Sequence, residues 1–231
     1  MALRTALFSA LGGGLFGLDV GYISGIQEMS SFHAVMNDGL PLEPVTDGAM
    51  VALFPVGAIL GSCPPIAARL GASLGGKGAI QLGALVFCVG SLLQGSAFGV
   101  GQFCVGRLVS GTAVGVLSTF VPLYQAEVAH PARRGALVAL YQLAITLGIA
   151  AAFWINFGVR DAANGWRISV LAQLCPGLLL AGGMRCMPQS PRWLVGKGRR
   201  AEARSELARV RHAGADVGPE LVLGWISQQN C

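Results

Sequence analysis

The chain has 231 residues, of which 53% are hydrophobic and only 12% charged, with 34 glycines and a net charge of +5. Soluble domains carry about 25% charged residues, so this composition excludes an ordinary soluble domain and predicts a membrane protein. The positive balance does not indicate nucleic acid, because no basic patch interleaved with aromatic residues occurs.

Crossing a bilayer takes about 20 apolar residues per helix. Six such runs can be placed, at 6–26, 49–69, 79–98, 102–125, 135–157 and 167–187. Polar breaks separate them at Met36–Asp47, Gly75–Gly78, Gly99–Gly101, His130–Arg134 and Arg160–Gly165. The expected fold is an all-α membrane protein, with a six-helix transmembrane bundle over residues 1–190 and a cytoplasmic helical segment over 191–231.

The first run predicts a retained helix rather than a cleaved leader. It is long, it is interrupted by Gly12–Gly14 and Asp19, and no small-residue cleavage pattern follows it. Gly13, Gly17, Gly21 and Gly25 recur every four residues and make one smooth stripe for close helix packing. Gly57 and Gly61 repeat the device in the second run, and Gly111 and Gly115 in the fourth. Asp19 lies two residues from Gly17 and from Gly21. At about 100° per residue it points away from the stripe, toward another neighbour or a wet cavity.

A lone ionised Asp in mid-span costs about 2.5–3.5 kcal/mol on insertion scales, and a partner usually meets that cost. The basic residue deep in another run is Arg107, in CVGRLVSGTAVG. Both residues fall in the outer half of the membrane at similar depth, so a pairing is geometrically open. It reads in two ways: a static ion pair locking two helices, or a proton site whose charge state changes with access.

The remaining charges give the orientation. Thirteen of the 16 basic residues lie on one alternating set of segments: Arg4, Arg69, Lys77, Arg133, Arg134, Arg185 and the seven from Arg192 to Arg211. Only Arg160 and Arg167 lie on the opposite set. This positive-inside pattern places both termini in the cytoplasm and agrees with an even number of spans. The loop Gln27–Gly48 carries Glu28, Asp38, Glu43 and Asp47 without a basic residue, and reads as external. Lys197–His212 reads as a solvated surface helix with near-neighbour charge pairs such as Glu206 with Arg209. The six cysteines show no CxxC spacing and read as small packing residues; no disulfide framework, metal site or cofactor is implied.

Several motifs carry a family resemblance in order. FGLDVGYISG at 16–25 resembles a first-helix FGxDxGxISG. The block from Gly106 to Ile149 resembles a fourth- and fifth-helix pattern of GR…G, PxYxxE, RG and QL. PQSPRWLVGKGR at 188–199 resembles the PESPRWL signature after helix six. The chain thus resembles, from about Phe8 to Arg211, a sugar porter of the major facilitator superfamily, most like fungal or algal hexose transporters. The resemblance covers the N-terminal six-helix half only.

The resemblance implies transport of a monosaccharide by alternating access at the plasma membrane, with proton symport favoured over facilitative uniport. By similarity, Phe16, Gln142 and Ile145 match sugar-contacting positions; an amide suits sugar hydroxyls because it both donates and accepts. Asp19 and Arg107 match the proton-coupling pair, while Glu127, Arg134 and Arg192, with Lys77, match a cytoplasmic gating network. Two departures weaken the inner lock. The loop after the second helix has Ala72 and Gly76 at an acidic and a basic position, leaving only Lys77, and the signature glutamate is Gln189. The implied partners are sugar, proton, lipid and a complementary C-terminal half or second copy; a non-transporting half that binds or regulates a relative is the alternative. An intramembrane serine protease is disfavoured: Ser24 lies in GYISG, and His33, His130 and His212 fall in loops.

Overall fold

The structure, a computed structural model, describes residues 8–128, 134–203 and 205, apart from the side chains of residues 128, 134, 137 and 191. All regular elements among these residues are helical. They are α1 (Leu11–Gln27), α2 (Ser30–Met36), α3 (Pro44–Ser62), α4 (Pro64–Gly95), α5 (Val100–Val128), α6 (Arg134–Val159), α7 (Gly165–Ala172), α8 (Leu174–Gly183) and α9 (Pro191–Gly196). A short 3₁₀ turn, Met184–Cys186, follows α8.

The six apolar runs map onto these helices. The second run is α3 continued by the start of α4, with a break at Cys63, which is extended before Pro64 as residues preceding proline prefer. The chain then reverses at a single residue rather than across the predicted Gly75–Gly78 break: Gly75 has φ 70° and ψ 175°. The reversal is visible in what each arm of α4 touches. Before it, Gly61 of α3 meets Thr112 and Gly71 lies by Phe120; after it, Gly76 lies by Tyr124, Gly83 meets Leu117 and Gly90 meets Ser110. Both arms therefore run along α5 in opposite directions. Among the described residues, five helical stretches are long and apolar enough to cross a bilayer, with Pro64–Gly95 counted once and α7, α8 and the 3₁₀ turn (Gly165–Cys186) taken as one; α1, at 17 residues, is shorter. The loop Gln27–Gly48, expected to be external, contains α2; Phe32 and Met36, one helical turn apart, bury its inner face.

The glycine stripes are contact surfaces. A Cβ on Gly17 would strike the Ile145 carbonyl of α6, and one on Gly21 would come 2.9 Å from Ile149 Cα. Between α3 and α5 the interlock is mutual: Gly57 and Gly61 abut the Leu108 and Thr112 carbonyls, while Gly111 and Gly115 abut those of Phe54 and Ala58. Close backbone approach supplies the dispersion contacts that hold helices together in lipid.

Two apolar clusters fill the bundle. One, around Leu15, Phe87, Leu117 and Tyr124, lies toward the end carrying the Gly75 reversal, the end that the charge pattern predicts to be the inner one. The other, around Phe32, Met50, Phe103 and Trp166, lies toward the opposite, outer end. A thin polar layer separates them. The charged segment after α9 is helical at residues 200–203 and 205, and the rest of the predicted Lys197–His212 helix lies outside the described residues.

Candidate functional site: a buried ion pair between α1 and α5

The stripe that presses α1 against α6 turns Asp19 the other way, onto α5. There the Arg107 Nη1 donates to Asp19 Oδ1, and the two residues are 1% and 0% exposed. The neighbour, not a wet cavity, is what Asp19 faces. Arg107 is held on every side. Its Nη1 also donates to the Tyr22 hydroxyl at 3.1 Å, and its Nε donates to the Met50 carbonyl at 3.1 Å. Its guanidinium carbon lies 4.6 Å from the centre of the Phe54 ring, a cation–π contact that needs no further hydrogen bond.

The polar layer extends beyond the pair. The Tyr22 hydroxyl donates to Gln94 Oε1, and Gln94 Nε2 donates to Ser110 Oγ at 3.1 Å. Ser110 Oγ donates to the Arg107 carbonyl at 3.1 Å, closing the circuit on α5. From α6, Asn156 Nδ2 donates to the Tyr22 carbonyl at 2.9 Å. Removing one member of a buried charge pair leaves the other uncompensated, at a cost of about 3–5 kcal/mol.

Of the residues matched to sugar contact, Phe16 lies one turn before Asp19 on the same side of α1, while Gln142 and Ile145 belong to α6, across the glycine stripe. Phe16 is half-buried and stacks on Phe54, ring centres 6.2 Å apart and planes 27° apart. Phe54 thus has Phe16 on one side and the Arg107 guanidinium on another. Gln142 is exposed on α6, whereas Ile145 is 8% exposed and belongs to the inner apolar cluster, with its carbonyl against Gly17.

At the inner end, two of the matched network residues engage one strap, the segment after α8. Lys77 Nζ donates to the carbonyls of Arg185 and Met187 at 2.8 and 2.7 Å. Glu127 Oε2 accepts from Ser190 Oγ at 2.5 Å. Tyr124 adds a hydrogen bond to the Pro188 carbonyl at 2.7 Å. Trp193 covers the reversal: its ring lies 2.9 Å from where a Gly75 Cβ would be, and its Nε1 donates to the Ala72 carbonyl at 3.2 Å. Arg192 is exposed on α9, and the Arg134 side chain lies outside the described residues.

The matching family model, "Sugar (and other) transporter", covers residues 5–223. The chain belongs to the sugar transporter family. A putative metabolite transport protein of Bacillus subtilis, YwtG, is 41% identical over 204 residues, 88% of this chain and 43% of the relative. The glucose transporter GlcP of Staphylococcus epidermidis is 35% identical over 217 residues, 93% of this chain and 46% of the relative. The galactose-proton symporter of Escherichia coli is 33% identical over 221 residues, covering 96% and 46%. Among solved structures, the proton:xylose symporter XylE bound to 6-bromo-6-deoxy-D-glucose superposes with a TM-score of 0.84 at 25% identity, over 98% of this chain and 52% of that one. The sugar transporter chain therefore spans about half the length of the relatives it matches, and its fold is that of a major facilitator, a multi-pass integral membrane protein.

In this transporter chain the sequence reading reached Asp19 and Arg107 but not Tyr22, Gln94 or Ser110. A signal existed for two of them: Tyr22 is three residues after Asp19 and Ser110 three after Arg107, so each shares its partner's helix face. Gln94 had only its amide, placed in an apolar run, to mark it.

Proposed function

We propose that the chain is the N-terminal half of a monosaccharide transporter that couples sugar movement to a proton by alternating access at the plasma membrane, with both termini cytoplasmic. The observation that carries this reading is the buried Asp19–Arg107 pair. In the state described here the guanidinium neutralises the carboxylate. When the helices part, an unpaired buried carboxylate is costly, and binding a proton removes the cost. Phe16, Gln142 and Ile145 take the sugar, and the Phe16–Phe54–Arg107 stack carries its presence to the pair. Glu127, Lys77, Arg192 and Arg134 hold the inner end closed. The six-helix unit ends near residue 190 and a cytoplasmic segment begins at 191.

Sugar sites lie between two repeats near the membrane midplane in transporters of this kind, so the reading includes a complementary C-terminal half or a second copy. The test is uptake in a hexose-uptake-deficient cell, with the chain expressed alone and together with a C-terminal half. The expected result is pH-dependent accumulation only for the pair, abolished by Asp19→Asn. Accumulation that survives Asp19→Asn with its pH dependence intact refutes the coupling, and robust uptake by the chain alone refutes the need for a second half.

A second reading, a non-transporting half that binds a relative, is favoured by one observation. α6 presents an exposed apolar surface that includes Phe153, Trp154 and Phe157. Sequestration of a full-length relative, with uptake falling as the chain is co-expressed, distinguishes it.

A further inference from the structure

The sixth span carries a line of polar groups that the ion pair does not use. Trp166, Ser169 and Gln173 lie at i, i+3 and i+7, on one face of α7 and its joint with α8. They are 0, 3 and 2% exposed. The Trp166 indole N–H, the Ser169 hydroxyl and both amide atoms of Gln173 have no hydrogen-bond partner among the described residues. On the third span the Ser91 hydroxyl is equally buried and equally unpartnered. Burying such groups unsatisfied costs about 1–3 kcal/mol each, so a cluster of them in one place requires an explanation.

They do lie in one place. The third and sixth spans run antiparallel, with Cys88 against Gly177 and Leu171 against Gly95. That register sets Ser91 level with Gln173. The Gln173 amide in turn lies within reach of the Tyr22 hydroxyl without completing a hydrogen bond. Tyr22 touches Arg107 and Gln94. The line starts beneath the Phe32–Phe103–Trp166 aromatic cluster at the outer end, and at 1.5 Å per residue it descends about 10 Å to the level of the pair. Asp19 Oδ1 is engaged by Arg107, but Oδ2 is buried without a partner.

We infer that the third and sixth spans hold an internal water cluster on Ser91, Ser169, Gln173 and Tyr22, and that this cluster is the outer proton route to Asp19. This rests on the coupling role proposed for Asp19. A buried water takes about three hydrogen bonds from otherwise unsatisfied polar groups, which is what these side chains offer. Along the route a hydronium gives its proton to the Asp19 carboxylate, leaving water and a neutral carboxyl, while Arg107 keeps its charge. Among the described residues, the titratable groups near that step are Tyr22 on α1 and Arg107 on α5, with Cys104 of α5 within electrostatic reach of Arg107. α3 supplies the Met50 carbonyl to Arg107 and α6 the Asn156 amide to Tyr22; α4 supplies the Gln94 amide, the Ser91 hydroxyl and, against Gly177, the Cys88 thiol, and α7 the Trp166 indole and the Ser169 hydroxyl.

The test uses the chain in lipid nanodiscs. X-ray radiolytic footprinting oxidises buried side chains that touch bound water. Normalised to the denatured chain, Tyr22 is expected to label well above Phe87, which is equally buried in the apolar cluster. In Gln173→Leu the excess is lost, and in Ser169→Ala, a milder change that preserves packing, it is reduced. After a pH jump, the infrared carboxyl band of Asp19, assigned by its loss in Asp19→Asn, rises more slowly in Gln173→Leu with an unchanged midpoint; Gln173→Asn restores the rate. Tyr22 labelling no higher than Phe87 in the unsubstituted chain overturns the water cluster. Equal protonation rates in all variants overturn the route while leaving the coupling pair untouched. Slowed protonation combined with uptake indifferent to Asp19→Asn supports the route and removes the coupling reading instead.

Discussion

The outer and inner ends of the bundle are closed by different chemistry. Toward the outer half, a full charge pair is sunk between α1 and α5 and wrapped by Tyr22, Gln94, Ser110 and Phe54. At the inner end, where Ala72 and Gly76 stand at positions the resemblance leads one to expect acidic and basic, the contacts run largely to backbone carbonyls. Lys77 holds two carbonyls of the strap, Tyr124 holds a third, and Trp193 sits on the Gly75 reversal. A buried ion pair responds to protonation and to any movement that separates its members. Contacts to carbonyls respond to geometry, and the one carboxylate described among them, Glu127, accepts from Ser190. The contrast sets a buried charge pair in the outer half against a clasp made mainly of carbonyl contacts at the inner end.

Substitutions break this contrast in graded steps. The largest effect is expected from Arg107→Leu, which strands Asp19. Stability in nanodiscs, followed by detergent-induced unfolding, should fall by about 3–5 kcal/mol, and Asp19→Leu added to it should recover much of the loss, because the uncompensated charge is then gone. Next comes Gly75→Ala. With φ 70° and ψ 175°, this backbone is nearly exclusive to glycine, and the new methyl meets the Trp193 ring. A loss of about 1–3 kcal/mol is expected, together with faster proteolysis of the strap. The smallest is Tyr124→Phe, which deletes the hydrogen bond to Pro188 for about 0.5–1.5 kcal/mol. Equal pH dependence of the Gly75→Ala and Arg107→Leu losses between pH 5 and 8 would erase the distinction between the two ends.

Much of this was legible in the chain, for uneven reasons. Runs of about 20 apolar residues announce spans, and a charge inside such a run is rare enough to be noticed, so Asp19 and Arg107 stood out. The glycine spacing gave the direction of Asp19 because a four-residue repeat defines a helix face. Gln94, Ser110 and Gln173 did not stand out, since single amides and hydroxyls are ordinary in membrane helices and only three-dimensional proximity makes them a network. α2 escaped because seven residues inside the loop Gln27–Gly48 carry too little pattern, and its burial depends on Phe103 and Trp166 from distant spans. Gln142 and Ile145 were matched together by motif, yet the helix turns one outward and the other into the core.

One consequence of the glycine interlocks concerns where this bundle can bend. Backbone meets backbone between α1 and α6, and again between α3 and α5, so each couple behaves as a welded plank that resists sliding or rolling. Any rocking must be absorbed along the seam joining the two planks. Asp19 belongs to one plank and Arg107 to the other, so their bond lies across the line where flexure concentrates.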